Sequence, residues 1–146
     1  MVITKSDIKN LEKVTRLKLI NSICGIRSVH LIGTFSNTNT NLAIFSSVTH
    51  LGSNPALFSF ISRPDNIVRR DTLANIKKHK YYTINSVEND MLNNAHQTSC
   101  KYDKDESEFD ACSFQEKYIN DFSAPFVATS SIKTVSYTHL TLPTKA

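Results

Sequence analysis

A chain of 146 residues with 40% hydrophobic and 21% charged residues is long enough for one folded domain and too apolar for a disordered protein. The net charge of +4 is modest and has no lysine and arginine run behind it, which argues against a nucleic-acid-binding protein. Three widely spaced cysteines argue against a disulfide framework, and neither a secretory leader nor a long apolar stretch is recognised, so we expect a cytoplasmic protein without a membrane span.

The N-terminal segment predicts one amphipathic helix. Its apolar residues recur near a 3.6-residue period, Ser6 is placed to cap its start, and Gly25 is placed to end it. Such a helix would lie across one end of the fold or against a partner subunit.

Short runs rich in β-branched and aromatic residues predict a sheet in the middle of the chain. The first two runs would form a hairpin, and the polar segment 50–55 would connect the second run to the third. The strands are expected at residues 28–34, 42–48, 56–61 and 81–87, and a further strand is expected to begin near Ser130.

Helices are expected between and after these strands. Asp71 would cap a helix that runs to about His79, and a second short helix would cover residues 88–99 with Met91, Leu92 and Ala95 on one face. The charged residues that follow predict a surface loop of mixed sign over 100–110.

The C-terminal residues 135–146 do not look like evolved protein. Their sequence, VSYTHLTLPTKA, resembles the translation of a sequencing-library adapter. We therefore expect a single, partial domain over residues 1–134 and a non-native tail over 135–146, with the final strands of the domain missing.

The stretch from Asn41 to Asn75 collects groups suited to a planar ligand with a phosphate. Hydroxyl groups and a turn follow one strand, arginines follow the next, and a helix then begins. Serines that simply face solvent, arginines that are surface charges and a Thr72 that caps the helix fit the same pattern. Asp71 would repel a phosphate, so we assign it to the helix cap. The residues alone therefore indicate an anion or cofactor site without identifying the ligand.

The order of several segments is more specific. NLAIFSSVTHLGSNPALFSFISRP, then RDTLANIKK, then YYTIN resemble the flavin reductase-like, flavoredoxin-type family of FMN-binding split barrels. LINS and LIGT before these segments, and AHQTS and SEFD after them, fit the same family, so the resemblance covers residues 8–134.

The resemblance implies a mainly β fold with flanking helices, an α+β Greek-key split barrel that would be incomplete at its C-terminus. It implies FMN bound near a homodimer interface, with electrons supplied by NADH or NADPH or by a redox partner protein. Residues at the matching positions would follow the flavin ring and ribityl chain (Asn41, Phe45, Ser46 and Ser47), lie near the same site (Ser53 and Asn54) and surround the phosphate (Arg63, Arg70 and Thr72).

No catalytic side chain is predicted, because a bound flavin supplies the hydride and electron chemistry itself. The main alternative is a flavin-binding or electron-carrier module without a substrate of its own. A nucleic-acid-binding barrel would rest only on a local patch of lysines and tyrosines over residues 77–82.

The histidines and cysteines support weaker hypotheses. His50 and His96 could approach the flavin, although packing roles fit them as well. His96, Cys100 and Cys112 lack the spacing of a metal-ligand set. Because a barrel without its last strands exposes open edges, we also expect this chain to fold poorly and to bind FMN weakly.

Overall fold

The computed structural model describes residues 3–63, 70–103 and 105–138 and shows an α+β fold in which strands predominate. The helices are α1 (Lys5–Asn10), α2 (Lys13–Ile23), α3 (Asp71–His79), α4 (Leu92–Gln97, preceded by a 3-10 turn at Asn89–Met91) and α5 (Glu108–Ala111). The strands are β1 (His30–Phe35), β2 (Thr40–Phe45), β3 (Thr49–Ser53), β4 (Ala56–Ser59), β5 (Tyr81–Ser86), β6 (Glu116–Lys117), β7 (Phe126–Val127) and β8 (Lys133–Tyr137).

The main sheet has four antiparallel strands in the order β2-β1-β5-β8. β1 and β2 form the predicted hairpin, with Thr34 opposite Asn41, and β5 lies on the other side of β1, with Thr83 opposite Gly33. The predictions for β1, β2 and β5 are thereby confirmed to within a few residues.

Strand β3 was not predicted. The strand expected over residues 42–48 ends at Phe45, and the chain starts a new strand, β3, inside the segment expected to be a connection. β3 pairs with β4 in a separate two-stranded sheet, and the register shifts between His50 and Gly52. β3 is exposed at four of its five residues, so its sequence lacks the apolar alternation that marks a half-buried strand, whereas β4 lies within the strand predicted at 56–61.

Two hydrophobic clusters cover the two faces of the main sheet. Leu31 and Ile32 are neighbours in β1 and therefore point to opposite faces, and both are fully buried. Leu31 packs with Met91, Ala95 and Phe109 from the segments of α4 and α5, among others. Ile32 packs with a second group that includes Ile76 of α3. The sheet is thus the layer that fixes α3 relative to α5.

The N-terminal segment forms two helices and not the single one predicted. Thr4, not Ser6, caps α1, because its hydroxyl accepts from the Asp7 amide while the Asp7 carboxylate accepts from the Thr4 amide. The Glu12 carboxylate then caps α2, and Gly25, with a φ of 71°, follows its end as predicted. Neither helix buries a residue, so several apolar side chains of α2 stay exposed: Val14, Leu17, Ile20 and Ile23.

Three further sequence predictions need correction. Asp71 is the first residue of α3 and not its cap, since Arg70 occupies the N-cap position. Leu92 does not share the buried face of Met91 and Ala95, since it is 47% exposed. The expected surface loop over 100–110 contains the start of α5, where Phe109 is fully buried.

β8 corresponds to the strand that was expected to begin near Ser130, and it starts at Lys133. It runs antiparallel to β5 and includes residues 135–137 of the segment interpreted as a non-native tail. That interpretation stays a prediction. Among the described helices, none combines the length and apolar character of a membrane-crossing helix.

Candidate functional site

A buried polar network joins the start of β2 to α3. The Asn41 side-chain oxygen accepts hydrogen bonds from the hydroxyl groups of Thr34 at 3.0 Å and Thr72 at 2.8 Å. The Asn75 amide donates to the Thr34 hydroxyl at 3.1 Å. All four side chains are buried, with exposed fractions of 1% to 9%.

Glu108 completes this polar network from α5. Its Oε2 atom accepts from the Asn41 side-chain amide at 2.7 Å and from the Leu42 backbone N–H at 3.0 Å. Burial raises the pKa of the Glu108 carboxyl, and the negative charge of Asp71 adds to this rise, while the hydrogen bonds oppose it. The polar network therefore consists of Thr34, Asn41, Thr72, Asn75 and Glu108.

The first turn of α3 offers hydrogen-bond donors next to this network. No side chain among the described residues caps the N-terminus of α3. Arg70 is half-buried, and its Nε atom is enclosed without a hydrogen-bond partner in the described part of the chain. Helix N–H groups without a side-chain cap, the helix dipole and a guanidinium together favour an anion, although Asp71 in the same turn opposes it.

The other end of β2 is apolar with hydroxyl groups beside it. The Phe45 ring meets the Phe60 ring edge-on at a centroid distance of 5.0 Å. The Ser47 hydroxyl accepts from the Ile61 backbone N–H at 3.1 Å and donates to the Ile61 carbonyl oxygen at 3.3 Å, so it holds the two strand ends together. Ser46 is exposed and accessible to a ligand.

The remaining predicted site residues lie apart from the polar network. Ser53 and Asn54 are exposed at the tip of the β3–β4 hairpin, where the Ser53 hydroxyl lies 3.2 Å from His50 Nε2. Arg63 is exposed as well. Within residues 3–63, 70–103 and 105–138, no hydrogen bond connects these three residues to the polar network.

The predicted residues therefore form two groups along β2. Asn41, Arg70 and Thr72 lie at its start, and Phe45 to Ser47 follow at its end. Five residues of extended chain separate Asn41 from Ser46, or about 17 Å at about 3.4 Å per residue. An extended mononucleotide has a length of that order, so one molecule could contact both groups.

An open cleft of about 420 Å³ adjoins the polar network. Asn41, Asn75 and Glu108 line it together with Asp71 and the carboxylates of Asp103 and Glu106. These negative charges disfavour a phosphate in the cleft itself, which leaves the Arg70 side of α3 as the better place for one.

A second, apolar cleft of about 260 Å³ lies beside the β3–β4 hairpin. Val48, Phe58 and Ile84 line it with His30, whose Nδ1 atom is enclosed and has no hydrogen-bond partner among the described residues. Burial lowers the pKa of His30, so the neutral imidazole is favoured there.

Sequence reasoning missed Thr34 and Glu108 as members of the polar network and treated Asn75 as helix support. A signal was present for Glu108, because Ser107 is a helix N-cap residue directly before it and the SEFD segment carries part of the family resemblance. The contact of Glu108 with Asn41 spans 67 residues and has no local sequence pattern.

Solved structures with the same architecture define the fold as a split barrel. A candidate flavin reductase with a split-barrel domain from Shewanella frigidimarina NCIMB 400 matches with a TM-score of 0.87 and 47% identity, covering 94% of this chain and 68% of that one. A 2-nitrobenzoate 2-nitroreductase from Pseudomonas fluorescens has a TM-score of 0.81 at 19% identity, covering 99% and 68%. Flavoredoxin of Desulfovibrio vulgaris (Miyazaki F) has a TM-score of 0.61 at 16% identity, covering 70% and 55%.

The family model of the flavin reductase-like domain matches residues 26–139. The chain therefore belongs to the flavin reductase-like family, as the ordered segments of the sequence predicted. The two structures below 20% identity share the fold alone. No protein of curated function matches the sequence significantly.

Proposed function

We propose that this protein binds FMN and acts as a flavin reductase-like oxidoreductase, passing electrons between NADH or NADPH, or a redox partner protein, and the flavin. Membership of the flavin reductase-like family supports an oxidoreductase with a flavin cofactor. The choice of FMN and of the electron donor goes further and rests on the site.

The start of α3 is the observation that carries the proposal. The enclosed, unpartnered Nε of Arg70 and the uncapped helix N-terminus fit the phosphate of FMN, since both supply N–H donors and positive potential to one point. Asp71 reduces this attraction but does not reverse it, because backbone N–H groups and a guanidinium remain as donors. Arg63 would add a second positive charge from the exposed loop.

The end of β2 fits the flavin ring. Phe45 and Phe60 supply an apolar wall, and the exposed Ser46 hydroxyl is available to the polar edge of the ring. Ser47 would contribute mainly by holding the strand ends in place, since Ile61 already occupies its hydroxyl. FMN, when bound, supplies the hydride and electron chemistry, and the side chains named here position it.

We further propose that the protein forms a homodimer through the β3–β4 hairpin. The hairpin exposes Leu51 (64%), Leu57 (44%) and Phe58 (48%), and Ile61 just beyond it is 77% exposed. Isolated two-stranded sheets are marginal in water, so a partner that covers this apolar surface would stabilise the hairpin. In a dimer, Ser53 and Asn54 at the hairpin tip could reach the flavin of the other subunit. Residence in the cytoplasm stays a prediction.

Flavin titration and reduction test this function. Purified protein should quench FMN fluorescence at a defined stoichiometry, and anaerobic NADH or NADPH should then bleach the visible absorbance of the bound flavin. Bound FMN that neither nucleotide bleaches would favour the electron-carrier alternative. A protein that binds no FMN would contradict the proposal as a whole.

An arginine variant tests the phosphate position. Arg70→Gln should weaken FMN binding by roughly tenfold or more, because a charged hydrogen bond to the phosphate is lost. Riboflavin, which has no phosphate, should bind Arg70→Gln and the wild-type protein equally. Arg27→Gln is the matched control, since Arg27 is an exposed arginine in the segment just before β1. Equal losses for FMN and riboflavin would place the phosphate elsewhere.

A further inference from the structure

We propose that Glu108 is a positioning residue of the flavin site: through Asn41, it holds the Thr72 hydroxyl oxygen as a hydrogen-bond acceptor for the ribityl chain. The inference rests on the proposed function and assigns Thr72 to a ligand hydroxyl group, whereas the sequence had suggested the phosphate.

The direction of the hydrogen bonds starts at Glu108. Its Oε2 atom accepts from both the Asn41 side-chain nitrogen at 2.7 Å and the Leu42 N–H at 3.0 Å. A carboxylate oxygen with two N–H donors can only accept, so the nitrogen of the Asn41 amide must face Glu108. The oxygen of the same amide must then face the opposite side, toward α3.

That amide oxygen fixes the two threonines. Thr34 and Thr72 each have one hydroxyl hydrogen, and each donates it to Asn41 Oδ1. Thr34 in turn accepts from Asn75 Nδ2 at 3.1 Å. Thr72 has no hydrogen left to donate, so its oxygen can only accept from a ligand.

This polarity decides which part of the ligand Thr72 can contact. A phosphate at neutral pH carries acceptor oxygens and cannot donate to Thr72 in this arrangement. A ribityl hydroxyl group can donate, and Thr72 lies beside Arg70, where the phosphate is proposed to bind. We therefore place the ribityl hydroxyl nearest the phosphate at Thr72 and leave the phosphate to Arg70 and the α3 N–H groups.

The polar network cannot easily change its direction. Thr34, Asn41, Thr72 and Asn75 are at least nine-tenths buried, and a buried donor or acceptor without a partner is costly. Loss of the Glu108 acceptor would leave the Asn41 nitrogen unsatisfied and would allow the amide to turn. A turned amide would point its nitrogen at Thr72, occupy one of the two lone pairs of the hydroxyl oxygen and free the hydroxyl hydrogen, so Thr72 would no longer be held as an acceptor for the ligand.

Two variants of Glu108 separate its acceptor from its charge. Glu108→Gln can place its amide oxygen where Oε2 stands, so FMN affinity should stay within about twofold of wild type. Glu108→Ala removes the acceptor, and the dissociation constant for FMN should rise about tenfold. Glu106→Ala is the matched control, because Glu106 is an exposed carboxylate on the same cleft. It should leave FMN binding unchanged.

Ligand selectivity separates positioning from a structural role. Lumiflavin lacks the ribityl chain, so its affinity should be the same for Glu108→Ala and wild type, whereas FMN and riboflavin should both bind the variant more weakly. In a Thr72→Val background, Glu108→Ala should have little further effect on FMN, because the two residues act through one contact. Circular dichroism checks that each variant is folded, and Glu108→Asp serves for the same comparison if the alanine variant does not fold.

The outcomes are distinguishable. A wild-type protein that binds no FMN overturns the proposed function together with this inference. A wild-type protein that binds FMN, with a folded Glu108→Ala of equal affinity, overturns the inference alone. Losses for FMN and lumiflavin of the same size, or additive losses with Thr72→Val, would also overturn it, since they would show only a structural role for Glu108.

Discussion

Gly33 lies directly against the carbonyl group of Pro125, where β1 passes the segment before β7. A Cβ atom at Gly33 would overlap the Pro125 oxygen and the Thr83 hydroxyl, and Thr83 itself donates to that oxygen at 2.6 Å. Only a residue without a side chain fits here, since the nearest group is backbone that cannot move aside.

Gly33→Ala should therefore lower the free energy of unfolding by about 1–3 kcal/mol, because strands and the crossing segment must separate to admit the methyl group. Urea unfolding followed by circular dichroism measures the change. Gly52→Ala is the matched control, since a Cβ there meets its nearest atom, the Pro55 oxygen, at 3.4 Å. Equal stability of the two variants would contradict the close contact at Gly33.

Asn85 is fully buried and links three strands. Its nitrogen donates to the Leu31 carbonyl at 3.1 Å and to the Thr83 hydroxyl at 3.0 Å, and its oxygen accepts from the Val127 N–H at 3.1 Å. Asn85→Ala should cost about 2–4 kcal/mol of unfolding free energy, because buried groups lose their partners. Asn93→Ala, on the exposed side of α4, should change stability by no more than about 0.5 kcal/mol. The comparison fails if both variants unfold at the same urea concentration.

Glu108 should make stability fall with rising pH. Burial raises its folded-state pKa above the ordinary 4.5, so the folded protein holds this proton more tightly than the unfolded chain does. The resulting stabilisation is present below pH 4.5 and is lost as the pH rises through the folded-state pKa. Glu108→Gln removes the titration, so its stability relative to wild type should increase with pH over this window. A difference in unfolding free energy between the two proteins that stays constant from about pH 4 to 7 would disprove the effect.

His79 should have the opposite consequence, a loss of stability on acidification. Its ring stacks on Phe35 at a centroid distance of 4.1 Å, and burial together with the charge of Lys78 lowers its pKa below 6.5. The unfolded chain then takes up the proton first, so stabilisation is present above pH 6.5 and is lost as the pH falls.

A His79→Phe variant should keep the aromatic contact and flatten this dependence between about pH 7.5 and 5.5. His50→Phe is the control, because His50 is exposed on the β3–β4 hairpin and outside the core. Unfolding free energies at several pH values provide the measurement. An unchanged slope in His79→Phe would show that another group, such as His30, accounts for the acid sensitivity.

Local patterns were sufficient for the elements that are half-buried. β1, β2 and β5 have dense β-branched and aromatic residues bounded by turns, and α3 has the helical period, so each was predicted near its observed position. β3 escaped prediction because its sequence, THLGS, is mostly polar and exposed, whereas the more apolar β4 of the same hairpin was predicted. The single N-terminal helix was wrong because the cap at Glu12 is a side-chain contact inside an otherwise continuous helical pattern.

The candidate site, too, was predicted only in part from local sequence patterns. Asn41 and Thr72 were named from the sequence, and the structure brings them into contact. Their orientation depends on Glu108, which the sequence placed in a surface loop. Since 67 residues separate Glu108 from Asn41, only the folded chain shows which atoms donate and which accept.

The order of strands in the main sheet also has a consequence for how fast the chain folds. β1 and β2 are neighbours in sequence, but β5 must pair with β1 across about 50 residues, as the contact of Thr83 with Gly33 shows. To form a contact over such a sequence separation, the chain must first lose the entropy of closing a long loop. This requirement slows the folding of β-rich domains. We therefore expect the β1–β2 hairpin to form early, whereas the cluster around Ile32 can form only when β5 brings Tyr82 and Ile84 to it.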